Sequence, residues 1–510
     1  MKRILMLAVL FIFLLTGCQG DIFPSDFSSE YEAYETGLFV IGYNFEGANP
    51  LLLKNDVNKE VFSLIYDPLF SLNAAFETVG VLANGLSMIS RDGLNYHLDL
   101  KEGILFHDGS ELTASDVVAT VNYLLENSTA YDYNVRNILK VSKNTKYSVN
   151  VTLKEPAVNL KAQLTFPIVN AKDILKEFSF NGTGRFRVSG FVNKKHIDLR
   201  PYDNYHGVRN NEITGIRVQL MPDKETANYA YSSGMADIFK QDIFTNINSA
   251  NPKSGVKSIE YLSTNYGFLM LNHKADAFSS KNVRRAIELA IDKESIVTDV
   301  LFSHAVVCET PVAPGAWCEN KEIKGEYNPE KAKELLKNEG FVPDVNTGIL
   351  EKEDLKLSFK LLVNSDNNFR IQVADKISEG LKYIGIDCKV SVVSFEEYEG
   401  AFLAGEYEAL LGAMPISEDF DLKKFMGEEN ASGYYSGMAV STFNEISVTD
   451  DMDKKKTGYE KIQRIFKDEL PHISLYYTKE SIQCSDKIKK GLAPTGVSIY
   501  SGIENWSFEN

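Results

Sequence analysis

His107 stands beside Asp108 in Phe106-His107-Asp108-Gly109, an imidazole next to a carboxylate, the pairing that general acid–base chemistry uses. Further along, Ser254-Gly255-Val256-Lys257, Ser365-Asp366-Asn367 and Lys456-Thr457-Gly458 follow the order of a serine acyl-transfer site. Local context argues against both. No nucleophile and no third, orienting group stands near His107 in sequence, and Asp108-Gly109 is a turn pair that tolerates positive φ, so His107 reads as a turn residue. Ser254 lies in the polar turn Asn251-Pro252-Lys253-Ser254-Gly255, where a nucleophile would need the start of a buried helix. Lys456-Thr457-Gly458 ends the charged run Asp450 to Lys456 and precedes an amphipathic helix bearing Tyr459, Ile462 and Phe466, where an inner strand would be needed. The chain has no GxSxG, GxxxxGK[ST], GxGxxG, HExxH or CxxC pattern, so no catalytic group, metal or cofactor is expected.

The five cysteines separate by surroundings. Lys2-Arg3, the apolar run Ile4 to Leu15 and Leu15-Thr16-Gly17-Cys18 read as a signal peptide over residues 1–17 ending in a lipobox, with Cys18 the lipidated first residue after cleavage. The apolar run is too short to span a hydrocarbon core of roughly 30 Å, which takes about 20 helical residues, so lipid is the only membrane attachment expected. Cys308 and Cys318 flank a Pro/Gly loop and, outside the cytoplasm, are expected to form a disulfide. Cys388 falls on the apolar side of the alternating run Ile386 to Val392 and reads as core; Cys484 carries no signal.

A chain of 510 residues is too long for one compact core, and a 44% hydrophobic content is enough to fill two or three. The net charge of −16 repels nucleic acid and anionic headgroups, so neither is an expected ligand, and a monomer is expected. Residues 18–36, rich in Ser, Asp, Glu and Tyr without a period, read as a flexible tether.

The elements that would position any site are plainly punctuated. Tyr96, Leu98 and Leu100 alternate with polar residues as in a half-buried strand, and Thr113 with Asp116 forms a capping box ahead of a stripe of Val117, Val121, Leu124 and Leu125. Asn328 and Pro329 open a helix that Gly340 can end. Val283, Ala286, Ile287, Ala290 and Ile291 share one helical face with Arg284 and Arg285 off it; Phe369, Val373, Ile377 and Leu381 repeat every fourth residue until Gly385. Strands and helices alternate irregularly, which predicts a mixed α/β protein with more than one sheet.

Five stretches, in order, resemble the extracellular solute-binding proteins of the oligopeptide/dipeptide/nickel class, family 5, which serve ABC importers. They are Asn49-Pro50-Leu51 through Leu69; Leu82-Ala83-Asn84-Gly85-Leu86 through the His107 helix; Gly182-Thr183-Gly184 with Asp203-Asn204-Tyr205; Val283 through Lys293; and Tyr327 through Leu336. The resemblance implies an α/β, two-lobed clamshell of the periplasmic-binding-protein type, class II, with an extra subdomain inserted in the first lobe. It places lobe I in residues 37–60, 165–265 and 476–510, the insertion in 61–164 and lobe II in 266–475. It implies capture of a small peptide or similar zwitterionic solute by lobe closure and delivery to an ABC permease and ATPase, from a lipid anchor on the outer face of a bacterial membrane. A lipid-anchored peptide receptor without transport is the alternative.

For the ligand, the resemblance points to a β-augmentation strand at Phe45, Glu46, Gly47 and Ala48, to the hinge aromatics Tyr266 and Phe268, and to a late segment with Met414, Asp419 and Asp421. Phe45 and Glu46 can equally be ordinary strand and turn residues, and the two aromatics packing. In the late segment the family's tryptophan falls on Ala413 and its amine-binding aspartate on Ile416, leaving Glu418, Asp419 or Asp421 to supply the carboxylate. Cys18→Ala is expected to abolish lipidation and release the protein from the membrane; fractionation of cells carrying the variant checks it, and retention with the membrane would reveal a second anchor.

Overall fold

Two long strands, Val256–Leu271 and His472–Ser485, pair antiparallel and belong to both halves of the molecule. This computed structural model describes residues 37–210, 212–241, 243–244, 256–428 and 430–508; the expected signal peptide, Cys18, the tether and the turn around Ser254 lie outside the described residues. Along the pair, Val256 to Leu262 face Ser485 to Lys479, the register breaks, and Tyr266 to Met270 face Tyr477 to His472. Tyr261, Ile482 and Cys484 pack into one hydrophobic core, whereas Leu269, Leu271, Ile473 and Leu475 pack into another. The irregular stretch therefore falls between two cores, where a hinge needs it.

On the first-lobe side the sheet continues through Ile238–Gln241, Leu38–Tyr43, Ile216–Met221, His196–Pro201 and Phe186–Val192; on the other it continues through Ala409–Pro415, Ser358–Asn364 and Asp387–Val393. Leu38–Tyr43 runs parallel to both of its neighbours, and Ser358–Asn364 is parallel to its own. The two-lobed, mixed α/β fold expected from the sequence is the fold found. A separate antiparallel sheet, in the order Ala83–Met88, Asn95–Leu100, Ser148–Leu153 and Ile138–Thr145, carries the helix Ala114–Glu126. Tyr96, Leu98 and Leu100 are its buried face.

The punctuation holds at most ends. Thr113 and Asp116 make the capping box, and Val117, Val121 and Leu124 are buried. Leu125, expected on that stripe, is exposed, because one further residue turns the helix by about 100° and out of the core. Asn328 caps Pro329–Asn338, and Gly340 and Gly385 follow their helices with φ of 94° and 87°. Lys456-Thr457-Gly458, expected ahead of a helix, lies within Met452–Glu469, since Asp451 caps that helix a turn earlier. His107 is a clamp rather than an acid or base: Nδ1 is 3.3 Å from the Phe180 carbonyl and Nε2 is 2.9 Å from that of Gly184. This tightens the segment in which Gly182 crosses Ile65 so closely that a Cβ would stand 1.9 Å from its carbonyl oxygen.

The expected disulfide is not formed. Cys308 and Cys318 are free thiols, buried in one apolar cluster, and burial pushes both thiols far up. Their loop is closed by Gln463 instead, whose Oε1 accepts from Thr310 Oγ1 and the Asn320 N–H while Nε2 donates to the Cys318 carbonyl at 2.7 Å.

Arg284 is off the apolar stripe yet buried, donating to the carbonyls of Phe278, Ser279, Glu469 and Leu470 at 2.7 to 3.2 Å. It fastens Lys281–Ala290 to the turn after Met452–Glu469, where Leu470 sits in the left-handed region with φ 53°. Arg284→Met is expected to strand several carbonyls and cost about 3 to 5 kcal/mol, read as a lower urea midpoint at unchanged m-value.

Candidate ligand-binding site

Between the lobes lies a cavity of about 1470 Å³. Its first-lobe wall is the helix Asp56–Phe62, capped by Asn55, which contributes Asp56, Lys59 and Glu60. The hinge contributes Ser263, Thr264 and Asn265 with Thr478, Lys479 and Glu480; the C-terminal segment from Thr495 to Glu504 lines one end. Tyr131, Tyr133, Gln163 and Thr165 approach from the short helices Asp132–Val135 and Leu160–Gln163 and the residues beside them. Facing them, the strand Ala409–Pro415 ends, the Ile416 N–H bonds the Thr264 carbonyl at 2.9 Å, and the chain leaves the sheet to bring Ser417, Glu418 and Asp419 to the cavity.

Several lining groups are already satisfied. Lys240 pairs with Glu480 at 2.8 Å, and Glu60 accepts from Ser498 Oγ at 2.9 Å and from the Ile499 N–H. Burial nevertheless pushes the Glu60 carboxyl up to about 7, against the pull of Lys240 and these hydrogen bonds. Glu418 is likewise raised to about 7, by burial first and then by the neighbouring charge of Asp419. Its hydrogen-bond contact is weak, Thr165 Oγ1 at 3.4 Å. Gln163 Oε1 is buried without a hydrogen-bond partner among the described residues.

Asp419 is different. Its Oδ1 accepts from Tyr133 Oη at 3.1 Å and the Asp421 N–H at 3.2 Å, and its Oδ2 from Gln163 Nε2 at 2.8 Å and Arg136 Nη2 at 3.2 Å. The same Nη2 reaches Asp421 Oδ2 at 3.1 Å. The same two sides meet further at Met88 N–H to Asp450 Oδ2, Trp317 N–H to the Ala75 carbonyl, and Phe76 edge-on to Phe420.

Of the residues expected at the ligand, Glu418 and Asp419 line the cavity. Asp421 is one residue removed, on the shared guanidinium. Phe45 stacks on Phe191 and meets Phe62 edge-on; Glu46 is exposed, Gly47 half-buried, and Ala48 buried with its N–H on the Glu177 carbonyl, because the first strand stops at Tyr43 and the chain turns into the first lobe. Tyr266 and Phe268 are buried, stacked on each other beneath the hinge, with Tyr266 Oη bonded to His472 Nε2 and Ser474 Oγ. Met414 packs against the same cluster. Tyr43, Glu60, Tyr133, Gln163 and the C-terminal lining were missed, because they converge from segments with no common motif.

Among the described residues no group of three or more His, Cys, Asp and Glu is placed to hold a metal, and no helix is long and apolar enough to cross a membrane. A large cavity of mixed polar and apolar lining at the junction of two lobes that share a hinge is the geometry of a clamshell solute-binding protein. Residues 77–433 match the bacterial extracellular solute-binding proteins, family 5, over that family's middle region, and the chain belongs to this family. It is 27% identical, over an alignment of 551 positions covering 99% of each chain, to the oligopeptide-binding protein AppA of Bacillus subtilis. The AppA structure from that organism, in complex with a nonapeptide, superposes with a TM-score of 0.63 and 25% identity over 93% of this chain and 99% of that one. A nickel ABC transporter structure from Bacillus halodurans shares the fold, with a TM-score of 0.76 and 19% identity over 89% of this chain and 96% of that one.

The raised carboxyls of Glu60 and Glu418 hold protons that the unfolded chain gives up above about pH 4.5. Their favourable contribution is therefore complete below pH 4.5 and is lost as the pH rises through 7. Glu60→Gln and Glu418→Gln should each flatten the fall in stability between pH 5 and 8, by about 1 to 3 kcal/mol, the smaller figure for Glu418, which faces the open cleft; urea titrations across that range check it.

Proposed function

We propose that this protein captures a peptide between its lobes at the extracytoplasmic face of the membrane, held there by lipid on Cys18, and delivers it to an ABC importer. The observation that carries the peptide reading is the cleft: about 1470 Å³ exceeds the roughly 300–1,000 Å³ of a typical small-molecule pocket. Likeness to the oligopeptide-binding AppA along the whole chain supports it. The segment Ser417 to Asp419, leaving the sheet at the cavity wall, is the place where an extended ligand backbone can pair, and water fills the remaining space around varied side chains. Glu418 takes the ligand's cationic end, because its carboxyl has only the long contact to Thr165. A ligand that touches both lobes favours the closed arrangement by the difference in its affinity for the two states, and the permease reads that arrangement. The work is binding and closure, with no covalent step.

Native mass spectrometry of freshly purified protein, followed by calorimetry with peptides of two to nine residues, tests this. Bound peptide and dissociation constants in the micromolar range or tighter are expected, with Glu418→Gln weakening binding by about tenfold or more. Binding of a sugar or a chelated metal without any peptide binding would overturn the peptide reading.

A further inference from the structure

We propose that Arg136 is a built-in counter-ion that sets which ligands the cleft accepts: reaching across from the inserted subdomain, its guanidinium fills the carboxylate pair Asp419 and Asp421 that a ligand's cationic group would otherwise occupy. The inference rests on the peptide reading only for the identity of the ligand.

The geometry is that of a binding subsite filled from within. Asp419 and Asp421 flank Phe420, a non-glycine residue in the left-handed region with φ 50°, and this turn aims both carboxylates at one nitrogen, Arg136 Nη2, at 3.2 and 3.1 Å. A carboxylate offers about four acceptor positions. Asp419 uses four, on Tyr133, Gln163, Arg136 and the Asp421 N–H, and its side chain is only 2% exposed. It lines the cavity but has no capacity left for a ligand's ammonium. Glu418, one residue earlier, has it.

Arg136 is in turn held for this task. Its guanidinium lies 3.5 Å from the centroid of the Tyr133 ring, Nη1 donates to the Tyr133 carbonyl at 2.9 Å, and its own carbonyl accepts from Lys154 Nζ at 2.9 Å. A planar guanidinium suits this role better than a point charge, since it stacks on the ring while bridging two carboxylates. Removing it frees the Asp419 carboxylate beside the Tyr133 phenol and the Gln163 carboxamide at the cleft, with the Asp421 carboxylate behind them, a nest for a small cation.

Calorimetry of the full-length protein and its Arg136→Ala and Arg136→Ser variants, with methylguanidinium chloride, trialanine and arginyl-alanyl-alanine as probes, tests the proposal. Wild type, in which Glu418 is the carboxyl left to meet a cation, is expected to bind methylguanidinium at least about tenfold more weakly than Arg136→Ala and to bind the two peptides within about threefold of each other. Arg136→Ala should bind methylguanidinium, lose that binding when Asp419→Asn is added, and prefer the arginyl peptide by about tenfold or more. Arg136→Lys, which keeps the positive charge, should resemble wild type. The proposal is overturned if wild type binds methylguanidinium as tightly as Arg136→Ala, or if a variant with an unchanged cooperative melt gains no affinity for it; Arg136→Ser supplies that answer should Arg136→Ala fail to fold. If no protein binds either peptide while the methylguanidinium results come out as expected, the peptide reading fails and the role of Arg136 stands. If peptides bind but the Arg136 variants behave as wild type, the reverse holds.

Discussion

Pairing between Val256–Leu271 and His472–Ser485 is the constraint on which both lobes depend, because each strand gives one end to each core. Neither core can form without these strands, and neither can shift its register alone. A one-residue slip would turn Ile473 and Leu475 out of the second core and Ile482 out of the first. What freedom remains is concentrated where the ladder is irregular, between Leu262 and Tyr266, and that stretch supplies Ser263, Thr264 and Asn265 to the cavity floor. Bending and binding thus share the same few residues.

Around this floor, charge is distributed by how completely each group is already partnered. Glu480 has Lys240 and the Tyr261 hydroxyl; Asp419 has four donors; Glu60 has a hydroxyl and a backbone N–H. Such groups shape the cleft without competing for a ligand. Glu418 is the contrast, raised by burial and barely hydrogen-bonded, and a buried carboxyl in that condition gains most from an arriving cation. The satisfied groups fix the walls, and the unsatisfied one fixes the orientation of what enters.

Much of the scaffold was legible because its signals are local. The capping box at Thr113, the Asn328-Pro329 start and the four-residue period from Phe369 to Leu381 each depend on residues within a turn or two, and each appears as a helix near its expected place. The clamshell was legible through resemblance. The site was not, since Asp419 meets Arg136 across a separation of 283 residues and Gln163 across 256. No periodicity reports that a carboxylate is already occupied from the opposite lobe. The Phe45 to Ala48 strand failed for a related reason: a ladder position inferred from resemblance cannot tell that the strand ends at Tyr43 and that Phe45 turns into an aromatic cluster with Phe62 and Phe191. In the cysteine loop, composition and compartment suggested a bridge, while the role of Gln463, more than 140 residues downstream of the loop, left no trace nearby.

The strand His472–Ser485, common to both cores, is also made after every other strand among the described residues. His472–Ser485, the cavity-lining turn from Thr495 to Glu504 and the buried indole of Trp506 all lie in the final forty residues. A polypeptide emerging from its amino end can assemble the antiparallel sheet around Ala83 to Leu153 early, but it cannot complete either core until His472–Ser485 arrives. The ability to trap a solute therefore arises only once His472–Ser485 has found the strand Val256–Leu271 made long before it.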